Sequence, residues 1–539
     1  MSSLSRRPRP RALRPLPEAL EGRQLLSKTI TGTDPSGDRW VLKLIGPGDL
    51  RVTTQASSNG SAVPPNSPAL INEITVAGAS PHATRLVGRV TKTPTSAGRV
   101  FFQRLTEIGG PNISGTSGNG LLAVDMPNFW LGFTDPNAPL TRATEPAINI
   151  PDGVISLRFG GVDTTAFFGS NAANSPATNN QSDQYAVNLG IPVDTGTSII
   201  IDRSISNAQA AATTTGTTAT PTQDSVLFNV SGRINLFQAN AVDGNAAFPA
   251  TGFQGGGGTL VVSSPSNAAG IVGAIGTVRV LGNATNFSTA TSTRVGNFHV
   301  GGETNTVSLL SPSTVRNVSF GKGMDTVEVR AHDIRNLSAN RGALNSTVIT
   351  DREIFHARFG GDVVNTNLYA GYQQNLAQVF ANQTAPTTFP TAETGGAIDV
   401  AIAGSVINSV FAASVEPLVV GATPNFGTAQ DLFFPRGRIT AKVEGRVDNA
   451  AATPDQPTKA FYARLVRRNN GPVLPPTVPE QPLPIPRLRT KALGLHHNGT
   501  ASAAKGAGLS FRRLTAAAAH PATVTHTVTT AHAHVAAKK

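Results

Sequence analysis

His332-Asp333 and Arg352-Glu353 occupy equivalent places in two consecutive copies of a sequence repeat, and by residue type they are the best candidates for chemistry. If the copies stack as neighbouring strands, Asp333 and Glu353 stand roughly 5 Å apart. Carboxylates so placed can share a proton, position a metal, or serve as acid and base on a glycosidic bond, with His332 and Arg352 assisting. Three features weigh against this. The set comprises four residues, no third copy supplies another carboxylate, and the position is a corner where charged residues are ordinary. The plainer reading, solvated turn charges that offset one another, is therefore preferred, and the catalytic set is kept as the alternative.

A second candidate is a surface. The fifth position of the repeat reads Arg279, His299, Ser319, Ser338 and Arg358 down successive copies. An elongated face with Arg at its ends, with Arg279, His299 and Arg358 as contacts, suits an acidic polysaccharide, although such a column is more often simply the wet side of a sheet. Asn297, Asn317 and Asn336 share the third position and are expected to form an amide ladder along a bend. Neither a metal nor a cofactor is implied. There is no cysteine, and six of the ten histidines lie beyond residue 490. Gly255–Gly258 lacks the Lys and Ser/Thr context of a phosphate loop.

The elements that must position these residues follow from the repeat itself. The segments Ile275-Gly-Thr-Val-Arg-Val280, Val295-Gly-Asn-Phe-His-Val300, Val315-Arg-Asn-Val-Ser-Phe320, Ile334-Arg-Asn-Leu-Ser-Ala339 and Ile354-Phe-His-Ala-Arg-Phe359 begin about twenty residues apart. Their first, fourth and sixth positions are apolar. That pattern describes a bend leading into a short strand with one buried face. A second column in phase reads Val307 and Leu309, Val327 and Val329, Thr347 and Ile349, Asn367 and Tyr369. Gly301, Gly321 and Gly361 are expected at turns that use positive φ.

A unit this small cannot bury its own apolar face, so copies must stack in parallel sheets. The predicted fold class is all-β, a parallel β-helix or β-solenoid with coils of about twenty residues. Weaker copies at Ile71/Ile74/Val76, Leu121/Val124/Met126, Val154/Leu157/Phe159 and Ile407/Val410/Ala412 extend it, with 172–183 and 208–223 looping out. Residues 39–52 read as two strands around a Gly-Pro-Gly turn. The domain reading is a basic leader at 1–27, an N-terminal β region at 28–140, the solenoid at 141–468 with its secure core at 275–370, and a Pro-rich, disordered basic tail at 469–539.

The formal charge of +12 resides in the ends. Residues 1–27 hold six Arg against two Glu, and from Arg464 onward eleven Lys or Arg face Glu480 alone, which leaves 27 basic and 29 acidic residues between. The body is not a basic groove, and no specific nucleic-acid partner is expected. No apolar run is long enough for a transmembrane helix.

Residues Leu20-Glu21-Gly22-Arg23-Gln24-Leu25-Leu26-Ser27 resemble the LEPR-XLL-type motif found near the N-terminus of large surface or exported proteins of planctomycete bacteria, with Gly22 in place of the usual proline. That resemblance implies export or a cell-surface location and nothing about chemistry. The stacked carboxylates resemble the sites of polysaccharide lyases and hydrolases built on parallel β-helices, which is what the enzymatic alternative rests on. The reading adopted is a non-enzymatic extracellular or cell-surface scaffold or adhesive element, whose basic ends meet anionic envelope polysaccharide or another cell-surface polymer.

Overall fold

The computed structural model describes residues 27–54, 68–108, 120–132, 147–163, 184–189, 196–206, 225–231, 233–243, 258–263, 274–291, 293–376, 389–420, 423–448 and 460–469. The leader through residue 26, the segments 172–183 and 208–223, and the tail from residue 470 lie outside them.

The described residues are all-β. Strands Arg39–Ile45 and Asp49–Thr54 flank Gly46 and Gly48, whose φ angles of 102° and 123° suit glycine alone. Ser27–Thr33, Arg39–Ile45 and Arg85–Thr91 pair antiparallel, as do Asp49–Thr54 and Ile71–Ala77. From there the chain winds as a parallel β-solenoid. One column of strands runs from Arg85–Thr91 through Ala274–Val280, Arg294–Val300, Val315–Phe320, Ile334–Ala339 and Glu353–Phe359 to Leu465–Asn469. A second runs from Ile71–Ala77 through Ala284–Thr291, Thr304–Ser311, Val327–Ala331, Thr347–Thr350 and Asn367–Ala370 to Phe461–Ala463. A third sheet of two-residue strands, Met324–Asp325, Ala343–Leu344, Val363–Val364, Val406–Ile407 and Val447–Asp448, closes the later coils.

The apolar positions of the repeat face the interior. Val278, Phe298, Val318, Leu337 and Ala357 follow one another in register and are all buried. Beside them Phe237, Phe287, Phe298 and Phe320 form a row of rings with centroids 6.0, 6.3 and 6.1 Å apart. Burial of such rings is the main stabilising term for coils that have no core of their own.

Three sequence expectations need correction. In the second column Val329 pairs with Val348, not Ile349, and Val348 pairs with Leu368. The coil between Val318 and Leu337 is one residue shorter than its neighbours, and a one-residue slip exchanges the two faces of a strand. Ile349 and Tyr369 therefore point outward, where Tyr372, Phe389, Phe426 and Tyr462 cover them. Two of the weaker copies belong to other columns: Ile71/Ile74/Val76 lies in the second, and Ile407 lies in the third sheet with Val410 and Ala412 in the second, whereas Ile398, Val400 and Ile402 continue the first.

The third correction concerns the glycines. Gly301, Gly321 and Gly361 do not have positive φ. They are required because a Cβ there would lie 2.3, 2.4 and 2.2 Å from the carbonyl oxygens of Leu281, Gly301 and Arg341 on the preceding coil. Positive φ falls instead on Asn286, Thr306, Thr326, Asn345, Asn365 and Asn408, one per coil at the corner entering the second column, with φ between 47° and 55°. Asparagine tolerates this region better than most residues. The Asn365 amide also donates to the Asn345 side-chain oxygen at 3.2 Å.

Candidate functional site

Register places Asp333 directly before Ile334 and Glu353 directly before Ile354, so the two carboxylates lie on adjacent rungs as their spacing implied. What holds them differs from a catalytic pair. Asp333 Oδ1 accepts the backbone N–H of Glu353 at 3.0 Å, and its Oδ2 accepts the Thr314 hydroxyl at 3.3 Å. The Asp333 side chain is only 15% exposed and ties three successive coils together. Glu353 faces Arg438, two rungs onward, at 3.8 Å.

His332 turns away from this pair. Its Nδ1 meets Asp351 Oδ2 at 3.1 Å, whereas Nε2 reaches Asp333 only at 4.0 Å. Asp351 in turn accepts the backbone N–H of Gln374 at 3.2 Å. Arg352 donates its backbone N–H to the His332 carbonyl at 3.1 Å. Its guanidinium is exposed and pairs with none of these carboxylates among the described residues. The four sequence candidates thus come together at one corner, joined through backbone groups, while their side chains turn to Thr314, Asp351 and Arg438 or, for Arg352, to solvent. Such an arrangement can fix coil against coil; it does not hold two carboxyls free to exchange a proton.

The wet face of the first column is organised along rows. In the third position the Asn317 amide donates to Asn297 at 2.7 Å, the Asn336 amide to Asn317 at 2.9 Å, and the Asn297 amide to Thr277 at 3.3 Å. His356 continues the row and pairs with Asp399 at 2.9 Å. In the fifth position His299 Nδ1 hydrogen-bonds the Ser319 hydroxyl at 2.7 Å. Burial, and then the Arg279 guanidinium beside it, hold this imidazole below its ordinary value, which favours the neutral ring. Arg279 and Arg358 are exposed at the two ends of that row, as the repeat places them.

Sequence reasoning missed the second position. Down the copies it reads Gly276, Gly296, Arg316, Arg335 and Phe355. The three large side chains are exposed, Phe355 at 42%. Reading positions two and three only as a bend hid a face beside the amide ladder; aligning the second position as a column of its own reveals it. Arg294, at the start of its strand, is exposed as well.

In the N-terminal coils the same sheet face carries a charge ladder. Arg89 meets Asp125 at 2.9 Å, Arg158 meets Asp125 at 3.7 Å, and Arg158 meets Asp202 at 3.0 Å. Among the described residues no cluster of His, Asp and Glu is arranged to hold a metal ion, and no helix is long and apolar enough to cross a membrane. No protein-family model matches this chain, and no curated protein or solved structure matches it.

Proposed function

We propose that this chain is a non-enzymatic structural or adhesive β-solenoid of the cell surface or extracellular space, built on a unit coil of about twenty residues that is lengthened elsewhere by insertion. The observation that carries this reading is the engagement of Asp333: both of its oxygens accept hydrogen bonds from neighbouring coils, so the best catalytic candidate serves as a staple. The LEPR-XLL-like residues 20–27 support export, and the basic ends suit contact with anionic envelope polymer.

The test has two parts. Fractionation of native cells with N-terminal sequencing should recover the chain in the surface or extracellular fraction; purely cytoplasmic, uncleaved protein sinks the location. Incubation with acidic polysaccharides should release no oligosaccharide. Turnover that disappears in the double variant Asp333→Asn/Glu353→Gln establishes the enzymatic alternative instead.

A further inference from the structure

We infer that the wet face of the first strand column, from Arg279 to Arg358, binds a linear polyuronate lying along the stack, with the chain perpendicular to the strands. This rests on the adhesive reading above and gives it a ligand class and a footprint.

The first ground is unbalanced charge. Arg279, Arg294, Arg316, Arg335 and Arg358 are exposed, and none has an ion-pair partner among the described residues. Arg316 and Arg335 precede the paired residues Asn317 and Asn336, so they occupy neighbouring rungs about 4.8 Å apart at the backbone. Like charges directly across a ladder are destabilising. An anionic partner removes that penalty and gains charge-assisted, bidentate hydrogen bonds from each guanidinium.

The second ground is the floor between the guanidiniums. The Asn297 and Asn317 amides each use one N–H in the ladder and keep a second, so the floor offers a spare amide donor on two adjacent rungs. Gly276 and Gly296 leave the second position without a side chain next to Thr277 and Asn297. A Cβ at Gly296 would lie 2.5 Å from the Gly276 carbonyl oxygen. Phe355, exposed beside Arg335, offers an apolar platform for the flat face of a sugar ring. The strand repeat is close to the length of one pyranose along an extended glycan. Five rungs thus span roughly 19 Å, about four sugar units.

The same features favour a carboxylated glycan over other polyanions. A single-stranded nucleic acid needs a series of aromatic platforms for its bases; Phe355 is the only Phe, Tyr or Trp among the outward residues of these five strands, and the His299 and His356 rings are engaged with Ser319 and Asp399. The chain's own ends carry the same sign of charge as the face, six Arg against two Glu before residue 28 and eleven Lys or Arg against Glu480 after residue 463, which disfavours them as its occupant.

The experiment titrates the full chain with polygalacturonate, neutral galactan and a single-stranded oligonucleotide at two salt concentrations, comparing wild type, Arg316→Ser/Arg335→Ser and, as a control on a strand paired to the second column, Arg51→Ser. Salt-sensitive binding to polygalacturonate alone is expected, weakened about tenfold in the double variant and unchanged in the control. Arg279→Ser/Arg358→Ser, with thermal unfolding matched to wild type, repeats the comparison should the first pair perturb folding. Equal binding of galactan or oligonucleotide, or equal losses in double variant and control, overturns the inference. Failure to bind by a surface-located chain overturns this inference and spares the structural role. Cleavage of bound polygalacturonate does the reverse.

Discussion

The coils before residue 207 and the run from Ala274 to Phe359 share one sheet face but treat charge in opposite ways. In the earlier coils Arg89, Asp125, Arg158 and Asp202 alternate in sign and close on one another. In the later run guanidiniums stand on successive rungs and no acid pairs with them among the described residues. The backbone is the same in kind, since the Asp125 row continues in register through Arg158, Ile200 and Gln238 to Arg279 and His299. Parallel stacking therefore permits a self-neutralised wet face, and the open row in the later run is a property of its side chains. The interiors differ in one respect: both bury phenylalanines, Phe102, Phe129 and Phe159 in the earlier coils and Phe287, Phe298 and Phe320 in the later run, but the earlier coils also bury Glu107.

Because stacked coils contact only their neighbours, the two regions should unfold with separate midpoints. Both tryptophans, Trp40 and Trp130, lie in the earlier region, so their fluorescence reports on it while circular dichroism follows the whole stack. The largest separation should come from Phe298→Ala. It opens a cavity between Phe287 and Phe320 and should cost the later run about 4 kcal/mol. The dichroism transition should split or fall, with the tryptophan transition in place. If both move together the stack is one cooperative unit and the regional comparison loses its thermodynamic meaning.

Glu107 provides the converse, an effect confined to the earlier coils. It pairs in register with Val76, and burial, reinforced by the nearby Asp152 carboxylate, pushes its carboxyl from 4.5 up to about 7. The folded state thus binds the proton more tightly than the unfolded chain. The stability it contributes is whole below pH 4.5, declines as pH rises to about 7 and is constant above that, a change of ~3 kcal/mol. The tryptophan midpoint should fall across that window in wild type and lose this component in Glu107→Gln. An unchanged slope in the variant shows that another group governs the titration.

How much of this was legible beforehand depends on strand length and phase. Ile275 to Phe359 carry apolar residues at positions one, four and six of every copy, and these positions are the buried ones. The outward placement of Arg279 and Arg358 and the amide ladder at Asn297, Asn317 and Asn336 followed from the same alignment. The strands of the third sheet are two residues long, too short for alternation to register. Coil spacing varies elsewhere. Hydrogen-bonded partners stand 36 residues apart at Arg89 and Asp125 and 44 at Arg158 and Asp202, against 20 and 19 along the asparagine ladder. A fixed phase is lost there, as it was by a single residue at Thr347. At Asp333 the limit was different: residue type and spacing placed the two carboxylates on adjacent rungs, as the structure does, but the donors that occupy Asp333, a backbone N–H and a threonine hydroxyl, have no signature in the repeat.

The smallest expected effect bears most directly on the two faces. Asp125→Asn removes the charge shared by Arg89 and Arg158 and leaves two guanidiniums facing a neutral amide. Since these groups are partly exposed, the loss should be at most about 1 kcal/mol, and salt should shrink it. Arg316→Ser takes a charge from a row that has no partner for it, so stability should be unchanged or rise by a few tenths of a kcal/mol, again less so in salt. Opposite signs in urea midpoints at low ionic strength, converging as salt is added, mean that the later face is electrostatically open in the free protein. Should Arg316→Ser destabilise as much as Asp125→Asn, the guanidinium row is satisfied from within, and charge gives no reason to expect an anion there.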